Sequence, residues 1–444
     1  NLNITTRENK SYIKEVENKV ITVKGEADLN IATKDKDTSP GSTDFVKSLD
    51  ASAMTGNLVA DLSDSRKYSS VKSGNGNDTI VVGQLTTNSA SIDAGAGEDT
   101  LQVRSISGLK KMTLSGLENI EIMDKNAGGV SRLDFVGQND IRTLKVGQLD
   151  NELVVTSSSI ETVNLTDKVS PYAADVIGSG SGKVHVNDTS VKTVNYKIDN
   201  ATSPTAMIGK IRLSESKNVT VNLDASVITQ AATSTVELPK ANTLNLNVNT
   251  TVDSGIKLEN STQLKTLNVV STNPNKFTLD TDATATTNTN QINKLNVTTA
   301  GSFEIGNTNT LAFVSDINIK GNGPMLVGSL VDLKNLGSIS SENGVSLKVN
   351  DLATATLGDA NVIALKVGDI ITKVDNNAGA NVNLKNITNG IEVNKIDVSG
   401  EVTFAANNIG GLKIVDSITS KKSSITFDVS GVRHDVNLGG ATQT

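Results

Sequence analysis

Two copies of one nine-residue pattern, 21 residues apart, are the part of this sequence best suited to chemistry. They read Ser73-Gly74-Asn75-Gly76-Asn77-Asp78-Thr79-Ile80-Val81 and Ala94-Gly95-Ala96-Gly97-Glu98-Asp99-Thr100-Leu101-Gln102. Because glycine adopts positive φ angles freely, such a turn can bring backbone carbonyl groups close to an ion. The aspartate adds an anionic oxygen of the kind that Ca²⁺ prefers. The repeated pattern therefore predicts a calcium site.

The predicted ligands come from both turns. We expect the carboxylates of Asp78 and Asp99 to bind the ion directly. Asp93, just before the second turn, could join them, while Asp61 and Asp64 are either ligands of a second ion or ordinary solvated carboxylates. If the turns stack, the two aspartates share one edge and repel each other without an ion, so folding and binding should be coupled. Carbonyl groups would complete the ligand set, from Gly74, Asn75, Gly76, Gly95, Ala96 and Gly97.

Other kinds of chemistry find little support in the sequence. The only histidines are His185 and His434, and no H-x-x-x-H motif or cysteine accompanies them, so both are expected on the surface or in turns. The glycine run at residues 178–183 lacks the spacing of a phosphate-binding loop, since Val184 follows the lysine. Acidic residues are scattered singly and do not recur on one face, whereas acid–base catalysis needs such groups to converge. We predict that the chain is not an enzyme.

Composition limits the architecture and the partners. The 444-residue chain has no cysteine or tryptophan and 2% aromatic residues, so its core must consist of thin layers of Val, Ile, Leu and Ala. A net charge of −7 without a basic cluster argues against nucleic acid as a partner. No apolar run approaches the roughly 18 residues of a transmembrane segment, and the given sequence does not open with the positively charged, hydrophobic pattern of a signal peptide. Acidic chains without cysteine are common among exported bacterial surface proteins.

A short pattern, hydrophobe-x-x-hydrophobe-x-hydrophobe, recurs from residue 117 onward, as in residues 160–165 and 264–269. It predicts an all-β fold: a parallel β-helix, or β-solenoid, of irregular coils with the calcium-binding coil near its N-terminal end. A leucine-rich repeat opens with the same spacing, but no amphipathic helix follows each strand. The outward position of the final three residues is often asparagine, and stacked strands would join these amides in a ladder. The predicted ladder residues are Asn164, Asn195, Asn222, Asn245, Asn268, Asn296 and Asn318.

The pattern predicts four segments. Residues 1–45 form an N-terminal strand segment and a polar linker, and residues 46–125 form the coils that carry the two turns. Residues 126–330 form solenoid repeats. Residues 331–444 form further β-rich coils, and the looser repeats there leave open whether they are a separate domain.

Residues 50–125 resemble a known family, the calcium-dependent surface-layer proteins of Gram-negative bacteria that are exported by type I secretion. The turns match the RTX repeat G-G-x-G-x-D-x-U-x except at the first glycine. They are preceded by Asp50-Ala51-Ser52-Ala53-Met54-Thr55-Gly56 and followed by Leu114-Ser115-Gly116-Leu117-Glu118-Asn119-Ile120-Glu121-Ile122, segments that accompany such turns in this family. The composition is also similar to that of surface-layer proteins from Campylobacter-type bacteria.

The resemblance implies a secreted protein that self-assembles into a two-dimensional lattice on the outer cell surface, anchored to lipopolysaccharide. Ca²⁺ would order both the fold and the lattice. Two departures from the family are the presence of only two turns and a C-terminus, residues 437–444, without a clear secretion signal. An RTX-type adhesin that binds host or neighbouring cell surfaces is the main alternative, and a carbohydrate-active enzyme is the third.

Overall fold

The structure, a computed structural model, shows an all-β protein with one four-residue helix among the residues it describes. The segments outside that description are residues 35–45, 86–88, 110–111, 125–129, 150–151, 167–183, 198–210, 226–231, 252, 282–291, 306–315, 322–324, 328–330, 333–337, 342–344, 351–353, 358–364, 373–379, 386–390, 399–401, 421–424 and 440–444.

The strands are short and follow one another closely, and the helix α1 (Ile106–Leu109) lies between β10 and β11. In chain order they are β1 (Leu2–Thr6), β2 (Ser11–Val16), β3 (Val20–Gly25), β4 (Leu29–Lys34), β5 (Ser48–Met54), β6 (Leu58–Asp64), β7 (Ser70–Lys72), β8 (Thr79–Val82), β9 (Ala90–Asp93), β10 (Thr100–Val103), β11 (Met112–Ser115), β12 (Asn119–Asp124), β13 (Ser131–Asp134), β14 (Thr143–Leu149), β15 (Leu153–Thr156), β16 (Thr162–Thr166), β17 (Val184–Asn187), β18 (Thr193–Lys197), β19 (Ile211–Leu213), β20 (Asn218–Ala225), β21 (Ala232–Glu237), β22 (Thr243–Thr250), β23 (Ser254–Glu259), β24 (Thr266–Ser271), β25 (Lys276–Thr281), β26 (Lys294–Thr299), β27 (Ser302–Ile305), β28 (Asp316–Gly321), β29 (Met325–Val327), β30 (Val331–Asp332), β31 (Ser338–Ser341), β32 (Val345–Asn350), β33 (Thr354–Leu357), β34 (Leu365–Thr372), β35 (Ala380–Lys385), β36 (Ile391–Val398), β37 (Val402–Asn407), β38 (Leu412–Ser420), β39 (Ile425–Asp428) and β40 (Val436–Asn437).

The first compact unit comprises residues 1–197 and 207–214. It carries both copies of the nine-residue pattern, at residues 73–81 and 94–102, which we call the calcium-type turns. Strands that follow one another in the chain alternate between sheets, and each strand pairs in parallel with the next strand of its own sheet. This is the arrangement of a parallel β-solenoid, as predicted. The sheet orders are β1-β3-β5-β7-β9-β11, β2-β4-β6-β8-β10-β12-β14-β16-β18 and β13-β15-β17-β19.

The second unit comprises residues 198–206 and 215–444, and it repeats the same parallel arrangement. Its three sheets follow the orders β20-β22-β24-β26-β28-β31, β21-β23-β25-β27-β29-β32-β34-β36-β38-β40 and β33-β35-β37-β39, with β30 also paired to β32. The prediction of a β-solenoid is therefore confirmed in both units, and the leucine-rich-repeat alternative is wrong, because strands occupy the positions where its helices would stand.

Residues 1–34 already belong to the solenoid of the first unit, since β1 pairs with β3, β2 with β4 and β3 with β5. The linker predicted after them, residues 35–45, lies outside the described residues. The other predicted segment boundaries stay predictions.

The core is made of thin apolar layers, as the composition predicts. Alternate residues of each strand point inward, so that Ile21, Leu101, Val163 and Leu244 have exposures of 0%. Leu, Ile and Val supply most of the buried side chains, and the large aromatic ones among them are few: Tyr68, Phe135, Tyr196 and Phe277. Because each coil buries little area by itself, its stability depends on the coils stacked on either side.

Asparagine ladders join successive coils on the outer face of one sheet in each unit. In the first unit, the Asn195 side-chain amide donates to Asn164 Oδ1 at 2.8 Å. In the second unit, Asn296 donates to Asn268 and Asn268 donates to Asn245, both at 2.7 Å. The backbone register places Asn318 opposite Asn296. The predicted ladder is confirmed at Asn164, Asn195, Asn245, Asn268 and Asn296.

The prediction is wrong for Asn222, which does not stack on Asn245 but belongs to a second row of asparagines. The register pairs Thr220 with Asn245, and Asn222 with Asn247. The Asn247 amide accordingly donates to Asn222 Oδ1 at 2.7 Å, in a second column beside the first. Ser216, which is fully buried, occupies the inward position that a hydrophobic residue fills in the other coils.

Tyr68 carries a hydroxyl group that has no hydrogen-bond partner among the described residues, although the side chain is only 1% exposed. Burial raises the pKa of Tyr68, because the ionised form would be poorly hydrated there. A buried unsatisfied hydroxyl costs roughly 1–3 kcal/mol.

We therefore expect Tyr68→Phe to increase the free energy of unfolding by about 1 kcal/mol, measured by chemical denaturation. Tyr12→Phe is the matched control, because Tyr12 is 67% exposed and its variant should unfold like the parent. A loss of stability in Tyr68→Phe would contradict the prediction.

Candidate calcium site

The two calcium-type turns lie directly above one another at one edge of the first unit. The strands that follow them, β8 and β10, pair in parallel with Thr79 opposite Thr100. The next strand, β12, continues this register with Asn119 opposite Thr100. A third segment, residues 115–118, therefore completes a stack with residues 73–78 and 94–99. We call these three segments the turn stack.

The glycines of the turn stack are required by the close approach of successive coils. Gly95 has a φ of +83°, and a Cβ atom there would lie 2.0 Å from the carbonyl oxygen of Gly74. Gly97 has a φ of +146°, and its Cβ atom would lie 2.2 Å from the carbonyl oxygen of Gly76. The Gly74 carbonyl also accepts a hydrogen bond from the Ala96 amide at 3.0 Å. These carbonyl groups therefore face the next coil.

A column of acidic side chains accepts backbone amides along the turn stack. Asp78 Oδ1 accepts from the Leu58 amide at 2.7 Å, and Asp99 Oδ1 accepts from the Asp78 amide at 2.7 Å. Glu118 Oε2 accepts from the Asp99 amide at 2.8 Å. Each acidic residue thus satisfies an amide of the coil before it, and Glu118 takes this role in the third segment.

A second column of side chains runs beside the first, and each of its members accepts an amide of the following coil instead of the preceding one. Asp28 Oδ1 accepts from the Asn57 amide at 2.9 Å, and Asn57 Oδ1 accepts from the Asn77 amide at 2.7 Å. Asn77 Oδ1 in turn accepts from the Glu98 amide at 2.9 Å. The polar residues of the turn pattern are therefore engaged in holding the coils together.

The two aspartates differ in their second carboxylate oxygen. Asp78 Oδ2 accepts from the Gly74 amide at 3.1 Å. Asp99 Oδ2 is buried and has no hydrogen-bond partner among the described residues. The Ser73 hydroxyl group donates to the Ala94 carbonyl oxygen at 2.7 Å and so joins the first turn to the second, whereas Ala94 has no hydroxyl group to do the same for the next coil.

Both carboxylates have pKa values above the usual range. Burial raises the pKa of Asp78, although the Leu58 and Gly74 amides and the nearby Ser73 hydroxyl group oppose this effect. The pKa of Asp99 is raised to about 7, chiefly by burial. The negative charges of Asp78 and Glu118 contribute to this rise, whereas the hydrogen bond from the Asp78 amide opposes it. Without a cation, Asp99 is therefore an unfavourable place for a negative charge.

The other predicted acidic ligands lie on strands β6 and β9. Asp93 is exposed on β9 and accepts a hydrogen bond from the Ser115 hydroxyl group at 3.1 Å. Asp61 lies beside the guanidinium group of Arg104, with an oxygen-to-nitrogen distance of 3.4 Å, so a second ion there would have to displace that arginine. The backbone register places Asp64 opposite Lys34.

The turn stack offers a cation one unpartnered carboxylate oxygen, but the described residues do not form a complete set of acidic ligands. Among the described residues, no three His, Cys, Asp or Glu side chains converge in an arrangement that could hold a metal ion. The orphaned oxygen of Asp99 and the neighbouring carboxylate of Glu118 are the pair that would hold Ca²⁺, with carbonyl groups and water completing its shell. Glu118 was missed from the sequence because it lies outside the nine-residue pattern, although it occupies the position of Asp99 in the next coil.

The two histidines, predicted on the surface or in turns, lie in different surroundings. His185 is half-buried on the outer side of β17, and its Nε2 atom is hydrogen-bonded to the Ser214 hydroxyl group. His434 is exposed in the turn after β39. The glycine run at residues 178–183 lies outside the described residues.

Comparison with known proteins places the chain in no group. No protein-family model, no curated protein and no solved structure matches it. Within the residues that the structure describes, no helix is both long enough and apolar enough to cross a membrane. The function must therefore be argued from the fold and the turn stack.

Proposed function

We propose that the chain is a structural protein of an extracellular surface layer, whose copies assemble into a calcium-stabilised two-dimensional lattice on the outer cell surface. Export by type I secretion and anchoring to lipopolysaccharide belong to the same proposal, and they are supported by the resemblance of residues 50–125 to that family. Low Ca²⁺ inside the cell would leave the acidic turns unordered, and millimolar Ca²⁺ outside would order them.

The observation that carries the proposal is that the recurring polar side chains of the solenoid bond from coil to coil. The asparagine ladders do so in both units. In the first unit, the Lys145 ammonium group lies 2.7 Å from Glu121, whose side chain is only 11% exposed, and Lys192 lies 3.0 Å from Glu161. Side chains repeated at these positions reinforce the stack, which favours a mechanical role.

The turn stack supports the calcium part of the proposal. A buried carboxylate oxygen without a partner is costly, and a cation beside it would remove that cost. Asp99 Oδ2 is such an atom, and the charge of Glu118 lies close enough to raise the Asp99 pKa. An ion would therefore stabilise the coils before and after the second turn.

Calcium titration of the purified chain tests the proposal. Light scattering followed during addition of Ca²⁺ and then EGTA, with negative-stain imaging at each end point, should show sheets that form and dissolve reversibly. A chain that responds to Ca²⁺ but stays monomeric would contradict the lattice and favour an adhesin. Degradation of a glycan by the chain would favour the enzyme. Magnesium at the same concentration is the control, because its smaller shell demands stricter octahedral geometry and it dehydrates reluctantly.

A further inference from the structure

The two calcium-type turns look equivalent in sequence, but their surroundings differ. In the first turn, Gly74 and Gly76 are buried beneath the second turn. In the second turn, residues 95–98 are all exposed. The reason is that the third segment is shorter: Gly116 stacks on Gly95, and Glu118 follows only two residues later. Solvent therefore reaches the second turn and not the first.

The carboxylates of Asp78 and Asp99 also differ, in how many of their oxygens accept hydrogen bonds. Both oxygens of Asp78 accept backbone amides, from Leu58 and Gly74. Asp99 uses only Oδ1 in this way, and its Oδ2 atom is buried without a partner among the described residues. The missing donor is the counterpart of the Gly74 amide: in the second turn, the Gly95 amide does not bond Asp99 Oδ2.

We infer that a single divalent cation binds at the second turn, held by Asp99 Oδ2 and by Glu118 of the following coil, and that Asp78 holds the backbone of the turn stack instead of the ion. The inference rests on the calcium part of the proposed function, and it names which of the two turns binds. Two carboxylates leave room for carbonyl groups and water, which suits Ca²⁺ better than a smaller ion.

Asp99→Asn is the most direct test, because it removes the negative charge and keeps an oxygen that can accept the Asp78 amide. We expect the variant to bind Ca²⁺ at least about tenfold more weakly, while its thermal unfolding in EGTA moves to higher temperature. Isothermal titration calorimetry of the whole chain with Ca²⁺ measures the affinity and the stoichiometry.

Further variants complete the test. Glu118→Gln should weaken Ca²⁺ binding at least about tenfold, and Glu98→Gln, which removes an exposed acid of the same turn, should leave it within about twofold. Circular dichroism in EGTA identifies any variant that fails to fold, and Asp99→Asn and Glu118→Gln each keep an oxygen that can accept the backbone amide bonded by the parent residue. Loss of binding in Asp78→Asn with retention in Asp99→Asn would overturn the inference.

The inference and the lattice can fail separately. Sheets that assemble without any bound Ca²⁺ would overturn the inference and leave the lattice standing. One ion bound through Asp99 and Glu118 in a chain that stays monomeric would support the inference and contradict the lattice.

Discussion

Replacing Gly95 by alanine should separate the second calcium-type turn from the first and cost the protein about 4 kcal/mol or more of unfolding free energy. The Cβ atom of alanine would lie 2.0 Å from the carbonyl oxygen of Gly74, a backbone atom that is itself bonded to the Ala96 amide. The φ angle of +83° adds roughly 1–2 kcal/mol for any residue with a side chain. Chemical denaturation in EGTA measures the loss without interference from bound calcium.

Gly137→Ala separates these two contributions. Gly137 has a nearly identical φ of +85°, but apart from its own chain neighbours no atom of the described residues lies within 4 Å of the position its Cβ atom would take. Its variant should lose only the roughly 1–2 kcal/mol that the left-handed conformation costs. Equal losses at Gly95 and Gly137 would show that conformation, and not coil packing, makes glycine necessary in the turn stack.

The fold could be predicted because a solenoid repeats its pattern. A single hydrophobe-x-x-hydrophobe-x-hydrophobe segment is ambiguous, but many copies at coil spacing leave few alternatives. The register of one coil was still misassigned. Residues 219–223 alternate throughout, so both Thr220 and Asn222 satisfy the outward position, and a strand shifted by two residues keeps the same face inward. The register was misassigned because Ser216 is polar, whereas a hydrophobic residue fills the corresponding buried position in the other described coils with this pattern.

The site could be predicted only in part. The nine-residue pattern located Asp78 and Asp99 at one edge, and the stacking of the turns is confirmed. The pattern does not distinguish the two aspartates, however, whereas in the structure the Gly74 amide bonds Asp78 Oδ2 and Asp99 Oδ2 has no partner among the described residues. Glu118 lies two residues after its glycine instead of four, so no pattern built on the calcium turns includes it.

In the absence of calcium, the stability of the first unit should fall as the pH rises from about 4 to about 7, and Asp99 should be the cause. Its folded-state pKa of about 7 lies above the usual aspartate value of 3.8, so the folded protein binds more protons than the unfolded chain across this range. Stability from such a group is fully present below the unfolded-state pKa and is lost as the pH rises through the folded-state pKa. The upper bound of this loss is about 4 kcal/mol, at 1.36 kcal/mol per pKa unit.

Asp99→Asn isolates this effect from that of the other carboxylates. The amide oxygen can still accept from the Asp78 amide, and the amide nitrogen carries no charge to be buried. The difference in unfolding free energy between the parent and this variant, measured in EGTA at several pH values, should therefore favour the variant increasingly toward pH 7. Glu98→Gln should show no such trend, since Glu98 is exposed.

Adding Ca²⁺ at pH 7 should reverse the order. A cation beside the ionised carboxylate removes the cost that burial and the charges of Asp78 and Glu118 impose, and it stabilises only the folded state that holds it. The parent should then be more stable than Asp99→Asn, although it is less stable in EGTA. A parent protein whose rank does not change with Ca²⁺ would show that Asp99 is a strained structural residue and not a ligand. The same carboxylate would thus weaken the solenoid where calcium is scarce and strengthen it where calcium is abundant.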